Sequence, residues 1–441
     1  MKKKSGFPVL YPNAAGIDIS SREHFVAVNP SIDDHPIRAF GCFTEDLYSI
    51  AQWLAECKVD TVAMEATGIY WVSLYLILEE AGFNVVLVNA KHVKNISGKK
   101  SDVKDAEWIR QLHACGLLSA SFQPDIYIRK LRCYMRYRKN LTDMAATHIR
   151  MMQKAMEQMN IKLQHVIADI TGKTGQAIIK SILDGERDAG KLLQLVDGRI
   201  KASKDDIAKS LAGLWKEEHL FEVKQSFEFY HFYREKIQEC DQQIKAHLND
   251  KFHEQLPVPS PKVKAKNNKN NLCFYATYVL QEIAGVDVTQ IFGITDTNAV
   301  EIISEIGLNM NKWPTVKNFT AWLNLAPNNK ISGGKLLSSR TAKKKNRAGQ
   351  IFKMSAFAVQ RSENWLAVFY HRIKSRSGAA IAITATARKI AVIFYSMLKN
   401  RTEFNPIPID TYTISFKEQR LRKITKQAKR MGFKLIPELV T

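Results

Sequence analysis

Ala14-Ala15-Gly16-Ile17-Asp18-Ile19-Ser20 is the stretch on which the fold turns. Side chains of an extended chain alternate between its two faces, so Ile17 and Ile19 share one face and Asp18 stands on the other. An acid in so apolar a strand needs a chemical reason. Outward from it, short β-branched and aromatic runs predict further strands at Phe25–Asn29, Ile37–Phe43, Thr61–Met64 and Val85–Val88. Helical spacing fills Glu45–Cys57 and Ile69–Ala81.

Three meandering strands followed by strands separated by helices is the order of an RNase H-like sheet. A dinucleotide-binding unit would begin with a strand, a helix and a parallel strand, and no glycine-rich phosphate loop occurs here. The expected fold is therefore an α/β RNase H-like N-terminal domain over residues 1–125. The helical remainder divides into a coiled-coil region at 126–255, a linker at 256–272, a mostly helical domain at 273–402 and a basic tail at 403–441.

The middle region is read from periodicity. Leu141, Ala145, Ile149, Met152, Met156, Met159 and Leu163 step by three and four, which makes one apolar helix face. Tyr230, Tyr233, Ile237, Cys240 and Ile244 follow a heptad, which makes an arm that dimerises or folds back as a hairpin. Leu256–Asn271 mixes proline, lysine and asparagine as an exposed linker does. In Phe416–Met431, Leu421, Ile424, Ala428 and Met431 line one face of a basic helix, either laid on a phosphate backbone or solvated.

Sixty-five Lys and Arg against 43 Asp and Glu in 441 residues give a net charge of +22, which favours a polyanionic partner through counterion release. The charge is clustered, at Lys2–Lys4, Lys99–Lys104, Arg129–Lys139, Lys262–Lys269, Arg340–Arg347 and Lys417–Arg430. Six dispersed cysteines form no CxxC pair and read as reduced thiols. No signal peptide is apparent and no window approaches a membrane span, so a cytoplasmic protein is expected.

Glu65 ends the apolar strand before Ala66-Thr67-Gly68, so two acids from separate strands converge at one sheet edge. Asp102 and Asp105 share one face of a helical turn, beside Lys99, Lys100 and Lys104. Four carboxylates together suit hard divalent cations of the kind that serve phosphodiester chemistry. Taken singly, each acid is equally readable as a turn or cap residue.

Gly16-Ile17-Asp18, Met64-Glu65-Ala66-Thr67-Gly68-Ile69-Tyr70 and Ser101-Asp102-Val103-Lys104-Asp105-Ala106 together resemble the DEDD transposases of bacterial insertion sequences. That group is described as bridge-RNA-guided recombinases and is related to pilin-gene invertases. The resemblance continues at Leu325-Ala326-Pro327-Asn328-Asn329-Lys330-Ile331-Ser332-Gly333-Gly334, which is similar to the family's serine motif.

It implies a RuvC-like domain in which Asp18, Glu65, Asp102 and Asp105 hold Mg²⁺ (or Mn²⁺), with Ser332 as the nucleophile. It also implies donor and target DNA, a structured noncoding RNA, and a homodimer or homotetramer. Ser332 on local sequence alone is a turn serine, with Ser338 and Ser339 nearby. Gly333 and Gly334 let a phosphate approach the backbone, and Lys335, Arg340, Lys343, Lys344, Lys345 and Arg347 are placed to neutralise it.

One departure is Ile291-Phe292-Gly293-Ile294-Thr295, which lacks the second glycine of the family's hairpin ahead of the serine. A metal-dependent nuclease or junction resolvase using water, and a site-specific invertase, remain the alternative readings.

Overall fold

The computed structural model describes residues 8–89, 102–250, 269–341 and 346–436; for Asp102 and Val103 only the backbone is described. Two compact units result, Met1–Gln123 and Pro124–Thr441. The regions 126–255 and 273–402, expected as separate domains, belong to the second of these.

The first unit runs β1 (Ala14–Ile19), β2 (His24–Ala27), β3 (Ile37–Phe40), α1 (Thr44–Glu56), β4 (Thr61–Glu65), α2 (Trp71–Glu80), β5 (Asn84–Val88) and α3 (Asp102–Ala114). Its sheet has the order β3-β2-β1-β4-β5. The first three strands pair antiparallel, and β1, β4 and β5 pair parallel. The third strand stops at Phe40 and not Phe43, because the Phe43 backbone N–H donates to the Asp46 carboxylate at 3.0 Å and starts α1.

Alternation then sorts the two faces. Ile17, Ile19, Val62 and Met64 pack with Leu47, Ile50 and Leu54 of α1 and Leu74 and Leu78 of α2. Each such buried aliphatic side chain contributes roughly 1.5–3 kcal/mol. The other face, with Gly16, Asp18, Ala63 and Glu65, is covered by α3. Ile109 packs there on Ala63 and Val88.

The second unit begins with α4 (Ile126–Gln158), continues through α5 (Leu163–Val166), α6 (Lys173–Leu183), α7 (Ala189–Leu193) and α8 (Lys204–Leu211), and returns along α9 (Glu217–Asn249). The arm folds back on itself. The Tyr127 ring stacks on His247, Arg138 pairs with Asp241, and His148 stacks on Phe229 and Tyr233, so α4 and α9 run antiparallel. Leu141, Ala145, Met152 and Met156 are buried on α4, and Tyr230, Ile237, Cys240 and Ile244 on α9. The stripe does not continue as one helix to Leu163, since α4 ends at Gln158 and Asn160 takes φ +57°.

The expected linker lies mostly outside the described residues, but its end is held. Arg138 donates to the carbonyls of Asn270 and Asn271 at 3.1 and 2.8 Å, while Asp241 accepts from the Cys273 N–H at 3.0 Å. Both members of this pair are buried, and loss of either one leaves an uncompensated charge worth about 3–5 kcal/mol.

Beyond it come α10 (Thr277–Ala284), α11 (Asp296–Ile306), α12 (Val316–Trp322), a hairpin of β6 (Lys330–Ser332) and β7 (Lys335–Ser338), then α13 (Arg347–Val359), α14 (Trp365–Ser377), α15 (Ala379–Asn400) and α16 (Ile409–Arg430). Phe319, Phe352, Phe394 and Tyr395 form an edge-and-tilt aromatic core among α12, α13 and α15. Where the second glycine of the motif is missing, Thr295 caps α11 by accepting from the Asn298 N–H.

Two expectations need correction. The sequence was read as holding no window near a membrane span, yet α15 is long and apolar enough to cross a membrane by length and composition; half of its apolar window is buried among the neighbouring helices. The basic cluster Arg129–Lys139 is expected among the charges that favour a polyanionic partner, yet Arg132 donates to the carbonyls of Ser304 and Glu305. Arg136 grips the Glu305 carboxylate with two 2.8 Å bonds, and Arg138 is buried. Those three guanidinium groups hold the helices of the unit together.

Candidate active site

The parallel register of β1 and β4 pairs Ile17 with Met64. One residue further along, Asp18 stands beside Glu65 on the same face, one strand spacing of about 4.8 Å apart. Sheet geometry alone would thus set two negative charges next to each other.

Gly16 decides what covers them. A Cβ there would stand 2.2 Å from the Arg110 backbone nitrogen and 2.5 Å from the Ala106 carbonyl, so α3 rests directly on the strand. Toward the other end of the helix, His113 Nε2 lies 2.9 Å from Thr61 Oγ1, at the start of β4. The helix therefore runs antiparallel to β1 and β4. Its first turn, Asp102–Asp105, points to the strand ends that carry Asp18 and Glu65. Asp105 lies one turn before Ile109, on the flank that packs over β4.

Sequence reasoning missed the side chains that fix this helix. Arg110, almost wholly buried, takes the Glu107 carboxylate in two bonds of 2.8 and 2.7 Å. Burial opposes the charge of Glu107, but hydrogen bonds from Arg110 and Gln111 hold its carboxyl below the usual range. Burial likewise lowers the His113 pKa, which favours a neutral ring at its bond to Thr61. The one legible signal was the stripe Ala106, Ile109 and His113 continuing the spacing of Asp102.

Glu65 is 8% exposed. Its hydrogen bond among the described residues comes from Thr67 Oγ1 at 3.0 Å, and no described cation pairs with it. A buried carboxylate beside a second acid, with only a hydroxyl for company, is a donor set that a hard cation would satisfy. Among the described residues no three His, Cys, Asp or Glu already stand close enough together to hold a metal; the Asp102 side chain, expected as the fourth ligand, lies outside them. The sheet and helix bring Asp18, Glu65 and the Asp105 turn to one end of one face, without the closed set of four that was expected.

Replacing Gly16 by alanine tests this arrangement. The added carbon meets backbone, which cannot swing aside, so α3 must lift from the sheet at a cost of about 3 kcal/mol. The expected outcome is a lower melting temperature by circular dichroism. A variant melting like the wild type would mean that α3 does not lie on β1.

In the second unit Ser332 ends β6 and is paired with Lys335 of β7. It is a strand residue and not the loop residue its neighbours suggested. Gly333 and Gly334 have φ of +53° and +74°, the left-handed pair of a two-residue hairpin turn, which side chains other than Asn or Asp resist. Nothing lies within 4 Å of a Cβ at either glycine, so the tip is open. Ser332, Lys335 and Arg340 are exposed, and the Asn328 N–H donates to the Arg340 carbonyl at 3.1 Å, closing the base of the hairpin.

Among the other expected phosphate-binding groups, Arg347 is exposed at the start of α13 and Lys104 is exposed on α3. Lys99, Lys100, Lys343, Lys344 and Lys345 lie outside the described residues. Ser338 belongs to β7 and Ser339 follows it.

Residues 15–161 match a family model of the IS110 DEDD type described as "Transposase". Residues 287–371 match a second model, described as "Transposase IS116/IS110/IS902 family". Together the two cover more than half of the chain. No curated protein matches it.

Proposed function

Because the chain belongs to the IS110 family of transposases, enzymes that cut and rejoin DNA, we propose that it does so with a serine nucleophile and metal-binding carboxylates. The observation that carries this reading is the register that sets Asp18 beside Glu65, with the first turn of α3 laid toward the same end of the sheet.

Asp18, Glu65, Asp102 and Asp105 are the residues that would hold the metal, Mg²⁺ or Mn²⁺. When bound, such an ion offsets negative charge on the phosphodiester and favours ionisation of the attacking hydroxyl. A serine hydroxyl is otherwise a weak nucleophile.

The Ser332 oxygen forms the new bond to phosphorus, a deoxyribose oxygen leaves and takes a proton, and the resulting phosphoserine keeps the bond energy for rejoining. An exposed serine beside two turn glycines meets the steric need of this step, since a phosphate can reach it from open solvent. Lys335, Arg340, Arg347 and the lysines 343–345 would neutralise the strand there, and Lys99, Lys100 and Lys104 would do so near the carboxylates. The chain's net charge of +22 supports a second polyanion as well, a structured noncoding RNA that guides the choice of donor and target DNA. The acting form is a homodimer or homotetramer.

The test is to incubate the protein and its co-purifying RNA with DNA carrying the element's ends. Protein–DNA adducts are then sought on denaturing gels, with Mg²⁺ and with EDTA. The expected result is an adduct that requires the metal. Cleavage without any adduct would replace the serine step by hydrolysis.

A further inference from the structure

Immediately after Glu65 the chain makes a turn that the carboxylate chemistry does not use. The Thr67 N–H donates to the Glu65 carbonyl at 3.0 Å, its hydroxyl to the Glu65 carboxylate, and the Tyr70 N–H to the Thr67 carbonyl at 3.3 Å. Gly68 takes φ +55°, and the Tyr70 ring stands over it, 3.3 Å from where a Cβ would be.

The turn is therefore tied to the acid it follows. Yet Ile69 is 78% exposed and Tyr70 is 48% exposed. Among the described residues the Tyr70 phenol has no hydrogen bond and its ring stacks on no other ring. From Ala66 to Val72 there is no charged residue in an otherwise strongly basic chain.

We propose that Tyr70, with Ile69 beside it, is a stacking lip for an unpaired nucleobase flanking the phosphodiester held at Asp18 and Glu65; this rests on the carboxylate reading above. An uncharged, apolar surface does not favour phosphates, whereas every base has a face that stacks on an aromatic ring. A strand with its phosphate at Glu65 necessarily places a neighbouring base within reach of this short turn. The exposed Ile69 is suited to wedge between base steps and help to free that base from the duplex. Tyr70 is thus a positioning residue, and the ring and not the hydroxyl is what acts.

The experiment uses the full chain with its co-purifying RNA and element-end DNA carrying 2-aminopurine at each position flanking the mapped cut. Wild type and Tyr70→Phe should quench one such position by stacking. Tyr70→Ala and Tyr70→Leu should not, and should need roughly ten- to hundredfold more DNA for half-maximal cleavage, with a smaller change in maximal rate. A Tyr70→Ala variant equal to wild type in quenching and half-saturation overturns the lip. So does one whose only change is in sedimentation, which would make this surface a contact between copies. Glu65→Gln separates the two ideas: it should abolish cleavage and keep the quenching, whereas normal cleavage by Glu65→Gln overturns the carboxylate reading itself.

Discussion

Ser332→Ala is expected to abolish the protein–DNA adduct and to lower strand exchange by at least about 10⁴-fold, the scale of loss when an enzyme's nucleophile is removed. The substitution deletes one oxygen from an exposed residue at the end of β6, so the fold should be untouched. The two-residue turn depends on Gly333 and Gly334 and not on the serine. A loss of activity therefore reports chemistry. Ser338→Ala and Ser339→Ala, in the same hairpin region, should leave the adduct intact. The measurement is the adduct itself on a denaturing gel, alongside DNA binding by filter retention. An adduct persisting in Ser332→Ala would move the nucleophile elsewhere, and cleavage persisting without an adduct would assign the attack to water.

Asp18→Asn is expected to lower cleavage by at least about 10³-fold. The charge of Asp18 lies one strand spacing from that of Glu65 in the extended register, and like charges side by side on a sheet disfavour the fold. Amide for carboxylate keeps the size of the side chain and removes the charge that a hard cation would need. The second readout is thermal. A cation that binds only the folded site raises the wild-type melting temperature, by up to about 2.7 kcal/mol of stability at a hundred times its dissociation constant, and Asp18→Asn should lose that increment. Equal melting responses to Mg²⁺ in the two proteins would remove Asp18 from the site.

Much of the first unit was legible because its elements carry strong local periods. Alternation around Asp18 separated the core face of β1 from the acid, and the burial of Ile17 and Ile19 with Val62 and Met64 follows that reading. The boundaries slipped where side chains capped backbone, as Asp46 does at Phe43. In the helical unit the stripes on α4 and α9 were visible, and the choice between a dimerising arm and a folded-back one was made within the chain by pairs such as Arg138 with Asp241. α16 buries no residue fully: Leu421, Ile424 and the basic side chains stay exposed, while Tyr412 and Phe416 near its start are half-buried against Arg372 of α14.

The sequence by itself determined the strands that carry Asp18 and Glu65 and the Gly333-Gly334 turn, because alternation and turn chemistry act over a few residues. It did not determine which cations are free. Arg132 and Arg136 look like any basic cluster until Glu305, some 170 residues away, is folded against them. Nor did it say that Gly16 is where a helix from residue 102 onward touches the sheet. Spacing records which face a residue takes; only packing between distant segments decides what that face meets. The carboxylate end of the sheet depends on that packing, since the β1–β4 register and the antiparallel course of α3 are both long-range contacts.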